Sequence, residues 1–171
     1  TWTEALEQEL KDGVRACTRY IGPPKQCGAL DLQKVADLPD DERPATKGGQ
    51  LWPRDGTIVG CWWAMREVEL STTRRRQVLF FEGVGCGVCE INLPVSKADT
   101  QARGKKRRHG CSCGSGPPGS NSICPVAAAR RLHGRAGALH ESLGNDPEDG
   151  ALWPTAAGEF GTKVMAANNF K

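Results

Sequence analysis

From Thr3 to Tyr20 the apolar positions Leu6, Leu10, Val14 and Cys17 recur at spacings of three and four, with glutamates early and arginines late. That pattern predicts an amphipathic helix whose charge order suits its dipole. Gly22, Pro23 and Pro24 end it, because neither proline can continue the hydrogen-bond ladder. A short helix is expected over residues 31–38, stopping before Pro39, followed by an exposed acidic loop over 40–50. Pro53 suits the first turn of a further helix, expected to run to about Thr73. Its apolar positions Ile58, Cys61, Trp62, Met65, Val68 and Leu70 wrap more than one face, which predicts burial. Arg66 then stands in the middle of the most apolar helix, where an unpaired charge is costly. Two readings are open: Glu69, three residues on, pairs with it, or Arg66 points into a cleft that takes an anionic ligand.

Strands are expected over residues 77–81 and 88–95, the second with Val88, Glu90 and Asn92 alternating against Cys89, Ile91 and Leu93. The glycine-rich stretch 82–87 between them is turn material. A hairpin is the natural return after Pro94, with Lys97 near its tip and the run Lys105-Lys-Arg-Arg-His on the returning strand. Gly114 to Ser122 reads as a loop, and Cys124-Pro125 opens a helix with proline at its favoured first position. A polar loop over 144–150 leads to Leu152-Trp-Pro, and Thr162 can cap a last helix. The fold class that follows is α+β, mainly helical with a small antiparallel β-sheet.

The 171 residues suit one domain, or one and a part. With 38% hydrophobic and 25% charged residues the chain can fill a core, which excludes disorder throughout. The longest apolar run, Ile58 to Met65, is far short of the ~20 residues that cross a bilayer, so no membrane partner is expected. The chain opens on Thr1 and is expected to be a piece of something longer. Its formal net charge is +3, and residues 1–50 carry 7 basic and 9 acidic side chains, so the remainder holds +5. Most of that excess lies in Arg74-Arg-Arg and in Arg103 to Arg108. Clustered cations attract polyanions, a phosphate backbone above all, although a solvated basic loop has the same composition.

No phosphate-binding glycine loop and no Gly-x-Ser-x-Gly elbow occurs, so nucleotide-enzyme and hydrolase readings have no anchor. His133 and His140 read as surface or helix-end residues. The chain contains 8 cysteines, and the close pairs Cys86/Cys89 and Cys111/Cys113 suit a metal or a reducing, intracellular compartment better than a secreted disulfide scaffold. Two zinc-ligand sets are open: Cys86, Cys89, Cys111 and Cys113, or His109, Cys111, Cys113 and Cys124. Reduced structural thiols are the alternative to both.

The order of several short motifs adds a resemblance. Met65-Arg-Glu-Val-Glu-Leu is similar to the first-arginine box of the tyrosine recombinase (phage-integrase) family, and Leu93-Pro-Val-Ser-Lys-Ala-Asp resembles that family's catalytic-lysine hairpin. Cys124-Pro-Val-Ala-Ala, then Leu152-Trp-Pro-Thr-Ala-Ala-Gly-Glu with Thr162-Lys, are similar to its Cys-Pro-x-x-Ala-Leu and Leu-Phe-Pro segments. Four matches fall in the family's order across residues 57–165, closest to the divergent integrase-like proteins of eukaryotic mobile elements. The resemblance implies a partial integrase-type catalytic domain over residues 22–171, with 1–21 as a helix or linker from a preceding DNA-clamping domain. It implies DNA recombination and integration by phosphodiester strand exchange. In that reading Arg66 clamps the scissile phosphate, Glu69 supports its helix, and Lys97 is the general acid. Arg103, Lys105, Lys106, Arg107 and Arg108 would track the DNA backbone, and the parent would oligomerise on DNA, in the nucleus if eukaryotic. The family's second arginine, histidine and tyrosine nucleophile, which follow the Leu-Phe-Pro segment, have no counterpart here: Leu143 stands where His140-x-x would need arginine, and the single tyrosine is Tyr20. The chain alone is therefore expected not to cut DNA. No cofactor is implied by the resemblance. A non-enzymatic, zinc-stabilised nucleic-acid-binding module is the alternative reading.

Overall fold

The computed structural model describes residues 31–38, 40, 43–93 and 104–168, all within one unit that spans Asp31–Lys171. The helix expected over 3–20, and with it Tyr20, lies outside the described residues. The order of elements is α1 (Leu32–Ala36), α2 (Pro53–Trp62), α3 (Glu67–Thr72), a 3-10 turn (Arg75–Gln77), β1 (Val78–Phe81), β2 (Val88–Leu93), β3 (Lys105–Gly110), α4 (Pro125–Ser142) and α5 (Lys163–Asn168). The α+β expectation holds, with a three-stranded antiparallel sheet in the order β1-β2-β3.

Local chemistry sets most of the element ends. Asp31 caps α1 by accepting the Gln33 N–H at 3.0 Å. Pro53 and Pro125 each stand at a first helical position, where the missing N–H has no consequence. The Thr162 hydroxyl accepts the Met165 N–H at 3.2 Å and starts α5.

The helix expected from Pro53 to Thr73 is instead two helices, broken after Trp62. Ala64 takes a left-handed φ of 46°, the Met65 N–H reaches the Gly60 carbonyl at 2.9 Å and the Ala64 N–H the Cys61 carbonyl at 3.0 Å. This pair of bonds is the Schellman closure, normally built on glycine. With alanine in that place the composition carries no stop signal. The break moves Arg66 from the supposed middle of a buried helix to the exposed entrance of α3.

The core lies where α2 and α4 pack together beneath the sheet. Ile58 and Val59 of α2, Cys89, Ile91 and Leu93 of β2, and Val126, Ala129 and Leu132 of α4 are almost fully buried, with Trp63 and Trp153 as the largest buried side chains. The β2 alternation is as expected: Cys89, Ile91 and Leu93 face the helices, and Glu90 faces the other way. Register pairs Cys89 with Phe80 on one side and His109 on the other. At the end of the 40–50 loop Gln50 is fully buried, its amide donating to the Trp153 carbonyl at 3.1 Å.

Two buried polar clusters stitch distant segments together. Asp55, inside α2 and with no exposed surface, is paired with Arg131 of α4 at 2.7 Å and with Arg135 at 3.3 Å, and Arg135 also holds Asp40 at 2.6 Å. Arg75 is buried and donates to the carbonyls of His133 and Pro147 at 2.9 and 2.8 Å. Its neighbours Arg74 and Arg76 both pair with Asp149. The triple arginine therefore holds the 144–150 loop. His140 stands in the last turn of α4, as a helix-end residue, but is buried and not on the surface: it is 1% exposed, with Nε2 3.0 Å from the Ala151 carbonyl oxygen. His133 is half-buried, edge-on to Phe80.

Candidate nucleic-acid interface and thiol cluster

The α2–α3 turn and strand β3 are fastened to one another. The Trp63 indole N–H donates to the Arg107 carbonyl at 3.0 Å, and the Arg107 guanidinium returns to the carbonyls of Trp63 and Ala64, the latter at 2.8 Å. Arg107 thus caps the carbonyl end of α2, where a cation is favoured by the helix dipole. Expected to track a phosphate backbone, Arg107 has its guanidinium occupied here.

Arg66, two residues beyond Ala64, is exposed and has no ion-pair partner among the described residues. Glu69 is 7% exposed and accepts the Arg66 backbone N–H at 2.9 Å. The expected pairing of Glu69 with Arg66 is therefore made through the backbone: the carboxylate caps α3 and leaves the guanidinium outside. Lys97 and Arg103 lie outside the described residues. Lys105 is exposed. Lys106 and Arg108 point away from the helices and share Glu90, at 3.6 and 2.6 Å. Arg108 also lies over the Phe81 ring, 4.9 Å from its centroid. Chiefly through the Arg108 hydrogen bonds, the Glu90 carboxyl is held below the ordinary glutamate range. The outer face of the sheet thus joins Lys106 and Arg108 to the exposed apolar Leu79 and Phe81, with one acid between the two cations.

At the opposite end of β3 the cysteines converge. Cys86 comes from the β1–β2 turn, Cys111 and Cys113 from the exit of β3, and Cys124 from the N-cap of α4, and their four sulfurs lie within 4.8 Å of one another. The Cys86–Cys113 and Cys124–Cys111 sulfur separations are 3.9 and 3.7 Å, and all four thiols are free. Antiparallel pairing of Val88 with Gly110 brings the turn to the strand exit, and the Cys111 N–H then bonds the Gly87 carbonyl at 2.9 Å. Gly85 has a left-handed φ of 66°, and a Cβ there would meet the Cys111 sulfur at 2.8 Å, so this position admits only glycine. Burial pushes the Cys86 thiol up to about 12, whereas N–H donation from Asn121 is the main influence that lowers Cys113 to about 6.

Neither zinc-ligand set read from the sequence is the one assembled. Three of the second set meet, but His109 packs edge-on against Trp62 and Trp63, with centroids 5.7 and 4.8 Å away, and Cys86 takes the fourth place. Cys89 is fully buried on the helix-facing side of β2, and burial pushes its thiol to about 12. Strand alternation had already assigned Cys89 to that face, and it is the signal that separates Cys86 from Cys89 despite the CxxC spacing. Compared with protein-family models, curated proteins and solved structures, the chain matches none.

Proposed function

We propose that the chain is the DNA-gripping portion of a strand-exchange domain of the tyrosine-recombinase kind, binding a phosphate backbone through Arg66, Lys105 and Lys106, with Lys97 as the acid for the departing 5′ oxygen. One observation supports the reading: the reciprocal Trp63–Arg107 bonds fasten the turn that presents Arg66 to the basic strand β3. A phosphodiester undergoing exchange gathers negative charge on its non-bridging oxygens, and an exposed guanidinium with no carboxylate partner among the described residues suits that charge. Without a second arginine, histidine or tyrosine box in its 171 residues, the chain binds DNA and does not cut it. Among the described residues no helix is long and apolar enough to cross a membrane.

Titration of fluorescent duplex DNA with the chain at several salt concentrations tests this. Binding is expected to weaken steeply with salt, with little sequence preference, and Arg66→Ala, Lys105→Ala and Lys106→Ala are each expected to reduce the log–log salt slope by about 1. Binding that is absent at low salt, or indifferent to all three substitutions, refutes it. The four-thiol cluster favours a second reading, a non-enzymatic nucleic-acid module. Under that reading no longer form of the chain cuts DNA, whereas under the first a longer form that carries a tyrosine box cuts DNA and loses cleavage with Arg66→Ala or Lys97→Ala.

A further inference from the structure

We propose that Cys86, Cys111, Cys113 and Cys124 hold one structural Zn²⁺ as a closed tetrathiolate site. The geometry is the first ground. A Zn–S bond of about 2.3 Å places tetrahedral sulfurs about 3.8 Å apart, and the two direct pairs stand at 3.7 and 3.9 Å with the remainder inside 4.8 Å. Disulfides need sulfurs at roughly half that separation.

The surroundings are the second ground. The Cys113 N–H donates to the Cys111 sulfur at 3.3 Å. Such a donor stabilises a metal-bound thiolate and orients it. Asn121 grips Ser112, its amide reaching the Ser112 carbonyl and hydroxyl at 3.1 and 3.2 Å. The loop over 114–122 is rich in glycine, proline and serine and contributes no large apolar side chain to the core. Its folded form is therefore organised around sulfur, and an apolar core does not account for it.

Four protein ligands leave no open position, so the ion's role is to fasten three segments: the β1–β2 turn, the β3 exit and the start of α4. Loading replaces four thiol protons by one dication. Its test does not depend on the DNA reading, since neither Arg66 nor any β3 cation is a ligand.

Metal content and cobalt titration of the whole reduced chain test the proposal. One zinc per chain is expected after purification without chelator. Co²⁺ replacing it should give intense visible bands of tetrahedral cobalt together with a sulfur-to-cobalt charge-transfer band, saturating at one equivalent. Cys113→Ser and Cys124→Ser should abolish stoichiometric binding, while Cys61→Ala keeps it. Because a ligand variant can also fail to fold, the unmodified chain supplies the deciding spectrum. A weak octahedral cobalt spectrum, iron in place of zinc, or retention of metal by folded Cys113→Ser overturns the assignment. So does an intact mass lower by four hydrogens in metal-free protein, the signature of two disulfides.

Discussion

Asp55 is the position where removal of one partner has the most calculable effect. Its carboxylate has no exposed surface and is held by Arg131 at 2.7 Å and, more weakly, by Arg135 at 3.3 Å. Breaking a buried pair by deleting one member costs about 3–5 kcal/mol, because the survivor is left charged and dry. In Arg131→Met the Arg135 contact survives, so the expected loss at neutral pH is about 2–4 kcal/mol. Urea denaturation with an unchanged slope reads it as a lower midpoint. Asp55→Asn removes the charge itself and is expected to cost less than Arg131→Met, and the double variant less than the sum of the two, by about 1–3 kcal/mol of coupling.

The sign of the pH dependence separates charge from packing. Burial raises the Asp55 carboxyl above its ordinary value, with Arg131 pulling against that rise. A group with a raised folded value contributes stability that is fully present below its unfolded value and lost as pH rises through the folded one. Removing Arg131 raises the folded value further, so the deficit of Arg131→Met should be greatest at neutral pH and shrink as pH falls toward about 4. A deficit under about 1 kcal/mol at neutral pH, or one that does not change with acidification, refutes the account.

Two further outcomes follow from the turn and the sheet. Ala64→Gly should stabilise the chain by about 1 kcal/mol, since the position is exposed and left-handed at φ 46°, and a thermal midpoint that falls would contradict it. In Arg108→Ala the Glu90 carboxyl should titrate closer to its ordinary value than in the unsubstituted chain; with a lowered folded value, Glu90 contributes stability above the unfolded value that is lost as pH falls through the folded one. Carboxyl chemical shifts followed through an acid titration check the direction, and an unchanged midpoint would mean that Arg108 is not the cause.

Legibility of the sequence divides along physical lines. Strand alternation and end signals are local, so β1, β2, the basic strand β3, the Cys124-Pro125 helix start and the Thr162 cap could be read directly. The break before Arg66 could not, because it rests on an alanine in a glycine conformation, with an arginine more than 40 residues away capping the helix end. The same holds for Asp55 with Arg131 and for buried His140, whose partners are set by the packing of α2 on α4 and by the return of the 144–151 loop. The thiol cluster was half legible. The residue types and three of the four ligands were apparent, while the exchange of His109 for Cys86 depended on register: His109 sits opposite Cys89, on the face that packs against the tryptophans.

Strand β3 links the two candidate sites, and this gives the thiol cluster a consequence beyond local stability. At its exit Cys111 and Cys113 would, through the proposed ion, tie the strand to the β1–β2 turn and to α4, and along its length Arg107 ties it to the turn that presents Arg66. Between these anchors Lys106 and Arg108 share Glu90 on the neighbouring strand, which sets the cations in register with the sheet and restrains them from moving as free side chains. A phosphate backbone has a fixed charge spacing, so cations held on a rigid ladder meet it with less ordering cost than cations on a loose arm. A strand with lysine or arginine at four of its six positions repels itself and has little apolar surface of its own to bury; it is held by Glu90, by the Trp63 carbonyl and, at the sulfur end, by the proposed ion. The four cysteines and the basic run are in that sense parts of one construction, with the sulfurs fixing the end of the strand whose exposed face carries the charge.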